Sequence, residues 1–427
     1  KGKLDTALKN YQKCLTIAEK LAKEQNTPGS RRNLSFSYDH VGDILKEQGK
    51  LEAALEKYQK SLAIREELEK EQNTPGSRRD LGISYDNIGN ILEAKGELEA
   101  ALKNYQKCII IDEWLAKEQN TPESRQNLSV SYNKVGDILK EQGKLEAALE
   151  KYQMSLAIRE ELEKEQNTPK SHRDLVISYD NIGNILETKG ELDAALKNYQ
   201  KCLTIAEKLE KEQNTPESHR DLSFSYDHVG DILKEQGELE AALEKYQKSL
   251  AIREKLAKEQ NTPKSRWDLV IGYDNIGNIL ETKGKLDAAL KNYQKCLAIA
   301  EELAKEQNTP ESRRNLSVSY NRVGYILKEQ GKLEAALEKY QKSLAIREEL
   351  AKEQNTPKSC RDLAANYNNI GHIMEHQGDL AGALEYYEKS HAIFWKLKVQ
   401  YDMIQFDEYL QIVKRNIARI HEKLNLK

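Results

Sequence analysis

Carboxylate and amide side chains recur in this 427-residue chain in two registers, each spaced by 47 residues. The first holds Asp39, Asp86, Asn133, Asp180, Asp227, Asp274, Asn321 and Asn368. The second, a helical turn further on, holds Asp43, Asn90, Asp137, Asn184, Asp231, Asn278, Tyr325 and His372. An asparagine amide donates and accepts hydrogen bonds at once. Regular rows of such groups suit an extended peptide, whose backbone repeats regularly as well, and the aspartates favour basic or amide-rich ligands. Asp and Asn compete for backbone hydrogen bonds and are poor choices inside a helix. Their recurrence points to a role that helix propensity does not serve. Two other readings stay open: the side chains could bond to neighbouring helices and hold a stack together, or duplication could have copied them without selection.

Other chemistry is sparse. No nucleophile elbow, glycine-rich phosphate loop, CxxC pair or unique carboxylate dyad occurs. Each Asp or Glu suited to acid–base work has up to seven equivalents. A catalytic centre needs an asymmetric pocket, so the chain reads as no enzyme, with no cofactor. His372 and His376 stand four apart, a spacing that can grip zinc, but no third ligand is evident and no metal site is expected. A further slot alternates Lys46, Glu93, Lys140, Glu187, Lys234, Glu281, Lys328 and Glu375, which would set opposite charges side by side in adjacent copies. Such exposed pairs are worth less than ~1 kcal/mol each. The last two copies depart from the rest at Tyr325, His372, Met374 and His376, either as a binding hot spot or as adaptation to a terminal cap.

These rows need elements that hold a strict period. The turn KEQNTP begins at Lys23 and returns every 47 residues to Lys352, and all eight prolines sit in it. Apolar or aromatic residues at Leu34, Tyr38, Val41 and Leu45 mark one face of a first helix, A, which Gly49 ends. Leu51, Ala54, Leu55, Tyr58, Ser61, Leu62 and Leu68 mark one face of a second helix, B. Asn26 can close a helix B in the left-handed conformation. Thr27 with Pro28 offers one start for the next helix A, and Ser30 offers another three residues on. The turn length sets the angle between copies, so a slip would break the packing of every later copy. The chain is therefore all-α, with 18 helices of roughly 18–21 residues expected from these signals.

Composition narrows the function classes. Net charge is −3, from 67 basic and 70 acidic residues with no long run of one sign, so no dedicated nucleic-acid face is expected. No segment approaches 18 consecutive apolar residues, so no helical membrane span is expected, and no secretory signal opens the chain. Cys14, Cys108, Cys202 and Cys296 share one slot with Ser61, Ser155, Ser249 and Ser343, which reads as a demand for a small residue. Equivalent slots two copies apart are too distant to bridge, and free thiols fit a reducing, cytoplasmic setting.

Tyr38, Val41, Gly42, Leu45, Gly49, Leu51, Ala54, Tyr58 and Ser61 resemble the tetratricopeptide repeat, and Gly89, Ala101, Tyr105 and Gly371, Ala383, Tyr387 repeat its core. The resemblance covers residues 1 to about 397. At 47 residues the copies are longer than the usual 34, similar to the extended repeats of kinesin light chains. The resemblance implies a right-handed superhelical α-solenoid, with helices A lining a concave groove and helices B outside. It implies that Gly42, Ala54 and Tyr58 are packing residues and that both Asp/Asn rows face the groove.

The expected organisation is an orphan helix B over 1–27, eight helix pairs over 28–397, and a capping helix over 398–427. The opening in mid-repeat suggests an upstream region. The leading expectation is a scaffold binding a protein or peptide along its groove. A regulatory or sensor arm of a larger enzyme, and a structural spacer able to pair end to end through its uncapped N-terminal helix, are the alternatives.

Overall fold

The computed structural model describes residues 2–401 and 405–425. They form two compact units, Lys1–Glu212 and Gln213–Lys427, taken in turn. The first contains α1 (Gly2–Gln25), α2 (Pro28–Glu47), α3 (Leu51–Gln72), α4 (Pro75–Ala94), α5 (Leu98–Gln119), α6 (Pro122–Glu141), α7 (Leu145–Gln166), α8 (Pro169–Thr188) and α9 (Leu192–Gln213), whose last residue opens the second unit. The second continues with α10 (Pro216–Glu235), α11 (Leu239–Gln260), α12 (Pro263–Thr282), α13 (Leu286–Gln307), α14 (Pro310–Glu329), α15 (Leu333–Gln354), α16 (Pro357–Gln377), α17 (Leu380–Tyr401) and α18 (Gln405–Asn425). Every described element is a helix, and each unit is an α-solenoid of A–B pairs. No helix among the described residues is long and apolar enough to cross a membrane.

The turn works through the first of its two start signals. Asn26 sits at φ 46° and its seven equivalents lie between 43° and 48°, the left-handed conformation that asparagine tolerates. Thr27 is then the N-cap: its Oγ1 accepts from the Ser30 amide at 3.1 Å while the Ser30 hydroxyl accepts from the Thr27 amide at 3.0 Å. Ser30 is thus the second half of one capping box rather than a rival start. Pro28 takes the first helical position, where a missing N–H costs nothing. At the other end of helix A, Gly49 turns at φ 73°, and the Lys50 amide returns to the Leu45 carbonyl at 2.9 Å.

Each pair closes on a tyrosine and a glycine. Tyr58 and Ala54 are fully buried, and a methyl group at Gly42 would stand 2.8 Å from the Tyr58 ring. The glycine therefore lets the ring lie flat against the backbone of helix A. The same contact recurs from Gly89 with Tyr105 through Gly371 with Tyr387. In the second unit α18 packs on α17, where Phe406, Leu410, Val413 and Ile420 join Tyr387, Phe394 and Leu397 in one cluster. The expected start of that last helix at Asp402, Met403 and Ile404 lies outside the described residues.

Candidate ligand-binding rows

The two rows sit on helices A and differ in exposure and partners. In the first row Asp39, Asn133 and Asp227 are each 7% exposed, whereas Asp86, Asp180, Asp274, Asn321 and Asn368 are half-buried. Asp39 and Asp227 meet the guanidiniums of Arg65 and Arg253 at 2.5 and 2.6 Å. The alternate copies reach instead to the next helix A. Asp86 accepts from Lys134 at 2.5 Å, Asp274 faces Arg322 at 3.4 Å, and Asn368 accepts from Asn416 at 3.0 Å. Asn321 accepts from Asn366 at 3.1 Å, and Asp180 from Asn184 at 3.0 Å.

The second row is more open. Asp137 and Tyr325 are exposed, and Asp43, Asn90, Asn184, Asp231, Asn278 and His372 are half-buried. Asp43, Asp137 and Asp231 accept the hydroxyls of Tyr58, Tyr152 and Tyr246 at 2.7, 2.6 and 2.5 Å. Asn90 accepts from Tyr105 at 2.8 Å. Asn184 donates to the Asp180 carbonyl at 2.9 Å. His372 Nδ1 lies 2.9 Å from the Tyr387 hydroxyl, and Tyr325 lies under the Lys328 ammonium, 4.9 Å from its ring centre. Asn90 also accepts from Lys134 at 3.1 Å and donates to Asp86 at 3.0 Å, whereas the single tyrosine bonds of Asp43, Asp137 and Asp231 leave each carboxylate with further acceptor capacity.

The alternating Lys/Glu slot takes another job. Glu93, Glu187 and Glu281 accept from Tyr105, Tyr199 and Tyr293 at 2.6, 2.7 and 2.8 Å. A glutamate one turn beyond the second row reaches the same hydroxyl that Asp43, Asp137 and Asp231 reach in their copies. Glu375 accepts from Tyr387 at 2.9 Å and also takes Arg419 at 2.7 Å and Lys423 at 2.7 Å from α18. Those cations hold its carboxyl down at about 2. Burial, reinforced by Lys328 and Arg419, lowers the His372 pKa to about 4. Of the departures, His372 thus meets Asn416 on α18 beside the regular-slot Glu375, while His376 is exposed. No group of three or more His, Cys, Asp or Glu side chains among the described residues could hold a metal ion.

One set of residues escaped the sequence reading. Arg65, Arg159, Arg253 and Arg347 on α3, α7, α11 and α15 are buried, between 0% and 7% exposed. Arg65 donates to Ser35 at 3.1 Å, to the Asp80 carbonyl at 2.9 Å and to Ser84 at 3.0 Å, joining three helices. Arg159 repeats this with Ser129 at 3.2 Å, the Asp174 carbonyl at 2.8 Å and Ser178 at 3.0 Å. A sequence signal existed. The serine at Ser35, Ser129, Ser223 and Ser317 appears in the copies that carry the arginine, and Gly82, Val176, Val270 and Ala364 replace it where Asp112, Ala206, Ala300 and Phe394 stand in the arginine slot.

Family models described as tetratricopeptide repeat match residues 127–208, 174–255 and 268–349, residues 83–113, and residues 37–73 and 363–394. Together they span well over half of the chain. Comparison with curated proteins finds no match. Among solved structures, a signal transduction ATPase with a tetratricopeptide repeat sensor from Pyrococcus horikoshii is 16% identical with a TM-score of 0.50, matching 95% of this chain and 55% of that one. The apo form of RapI is 16% identical at a TM-score of 0.46 over 74% of this chain and 98% of that one. A Podosopora anserina structure described as "kinesin light chain nearly identical TPR-like repeats" is 15% identical at a TM-score of 0.42, over 54% of this chain and 98% of that one.

Proposed function

The chain belongs to the tetratricopeptide repeat family, and from that footing we propose that it is a non-enzymatic scaffold that takes an extended peptide along the second row of its helices A. The repeat architecture itself is that of a protein-interaction scaffold. The observation that carries the finer reading is the recurrence of an incompletely buried amide or carboxylate at one register, with Asp43, Asp137 and Asp231 each holding acceptor capacity beyond its tyrosine. Within the first unit that row runs through Asp43, Asn90, Asp137 and Asn184; within the second it runs through Asp231, Asn278, Tyr325 and His372. The half-buried members of the first row, Asp86, Asp180, Asp274, Asn321 and Asn368, flank it. Buried Asp39 and Asp227, paired with Arg65 and Arg253, back it by fixing the stack, and Asn133 is buried at the same register. Mixed Asp and Asn favours peptides rich in amide or basic side chains.

The experiment is capture of partners on the intact chain, mass spectrometry of what is retained, and titration of a synthetic peptide from the retained region. Saturable binding weakened by substitutions in the second row supports the reading. Retention that survives those substitutions unchanged removes it.

A second contact has its own support. On α1, Tyr11 is 37% exposed and Cys14 is exposed, whereas the matching Tyr199 and Cys202 on α9 are 0% and 2% exposed. This open face supports end-to-end pairing with a second copy, which sedimentation at rising concentration tests. A Tyr11→Glu variant should remain monomeric where the parent associates.

A further inference from the structure

An aspartate recurs near the start of helix A at Asp80, Asp174, Asp221, Asp268 and Asp362, and the residue 48 positions earlier is arginine in every case but one. Where Arg32, Arg220 and Arg314 fill that position, each guanidinium closes on the next helix's aspartate. The Nε–carboxylate distances are 2.5, 2.7 and 2.8 Å at Asp80, Asp268 and Asp362. Asp174 has Gln126 there instead, which reaches it with one amide N–H at 2.9 Å. At that place a cleft of about 530 Å³ opens between α6, α7 and α8, lined by Gln126, Asp174, Glu123, Arg159, Leu162 and Lys170.

The first copy shows what such a site accommodates. Two guanidiniums meet on Asp80: Arg65 at its backbone carbonyl, 2.9 Å away, and Arg32 at its carboxylate. In the third copy Arg159 already takes the Asp174 carbonyl at 2.8 Å, as Arg65 does at Asp80. The carboxylate side, where Arg32, Arg220 and Arg314 supply the chain's own guanidinium at Asp80, Asp268 and Asp362, receives the shorter, neutral Gln126. We propose that this cleft binds the guanidinium of an arginine side chain presented by a partner peptide, seated on the Asp174 carboxylate. Glu123 adds a second acceptor at the rim, and the buried Leu162 offers apolar contact to the arginine's methylene stem. A planar fork matches a carboxylate better than an ammonium does, so arginine is favoured over lysine.

This site lies apart from the second row and is tested separately. The full chain is titrated with the tripeptide amide Gly-Arg-Gly by isothermal calorimetry, with Gly-Lys-Gly as the comparison. Binding of the arginine peptide, at least threefold weaker binding of the lysine peptide, and at least tenfold loss in Gln126→Arg are expected. That substitution supplies from within the chain the guanidinium that Arg32, Arg220 and Arg314 supply elsewhere, so it keeps the fold. Asp174→Asn should lose affinity to the same extent. No binding to the parent chain, equal binding of the lysine peptide, or undiminished binding to Gln126→Arg overturns the proposal.

Discussion

The guanidinium of Arg65 stands 2.5 Å from the carboxylate of Asp39, with the two side chains 1% and 10% exposed. A buried pair of this kind need not add net stability over apolar residues of the same volume. Removing one partner, however, leaves an uncompensated charge away from water. Arg65→Ala should therefore cost about 3–5 kcal/mol. Removing Asp39 as well should recover part of that loss. Hydrogen exchange of the α2 and α3 amides reads the effect where it falls, because stacked repeats need not unfold in one step. Protection equal to the parent in Arg65→Ala would mean that the pair is not buried as described.

The tyrosine–glycine contact predicts a sharp difference between glycines. A methyl group at Gly183 would stand 2.6 Å from the fully buried Tyr199 ring, so Gly183→Ala should destabilise by about 1–3 kcal/mol. At Gly76, in the first turn of α4, the nearest atom to such a methyl is the Thr74 hydroxyl at 3.8 Å. Gly76→Ala should be neutral or stabilise by up to about 1 kcal/mol. Urea midpoints of the two variants give the comparison, and equal midpoints would refute it.

Breaking the turn should cost less and act locally. Thr168 caps α8 through the Ser171 amide at 3.2 Å, and Thr168→Ala should cost about 1 kcal/mol. Asn167 before it, at φ 44°, should accept glycine with little change and resist valine, whose branched side chain disfavours that conformation. Thermal melts of the three variants check the order, and tolerance of valine would contradict it.

Acid should loosen α18 in two stages. The folded-state pKa of His372 is lowered to about 4, so below about 6.5 the unfolded chain takes up its proton first. Stability from that group is present above 6.5 and is lost as the pH falls from there to about 4. Glu375, held at about 2 by Arg419, contributes stability above its ordinary value near 4.5 that is lost between there and about 2. Trp395 fluorescence in a Trp114→Phe, Trp267→Phe background, followed in urea at pH 7.5, 5 and 3, should show the midpoint falling at each step. Glu375→Gln should shrink the second fall to the part that His372 contributes between pH 5 and about 4. A midpoint flat from 7.5 to 3 would contradict both assignments.

Much of the architecture was legible because the chain repeats its own punctuation. Asn26, Thr27 and Pro28 state a helix end and a helix start, and Gly49 states another end. The sequence offers two start signals because the two halves of one capping box, Thr27 and Ser30, lie three residues apart. The buried Arg65 was overlooked because charge suggests a solvated face. Yet Ala54, Tyr58, Ser61, Arg65 and Leu68 keep steps of four, three, four and three, and all five are buried. The rows were legible as rows. Their tyrosine and arginine partners were not, because a helical Asp has the same spacing whether it faces a ligand or a neighbouring helix.

The central claim rests on the second row, and its asparagines give the cleanest access to it. In Asn90→Ala the Tyr105 hydroxyl keeps Glu93 at 2.6 Å and Lys134, which loses its 3.1 Å bond to Asn90, keeps Asp86 at 2.5 Å; in Asn184→Ala the Tyr199 hydroxyl keeps Glu187 at 2.7 Å, so the main contacts of the stack remain. The most direct measurement is a titration of a captured partner peptide against the parent chain and the Asn90→Ala, Asn184→Ala, Asn278→Ala triple variant, with circular dichroism on both. A tenfold or greater loss of affinity at unchanged helical content is the predicted result. Equal affinity at unchanged helical content would contradict it.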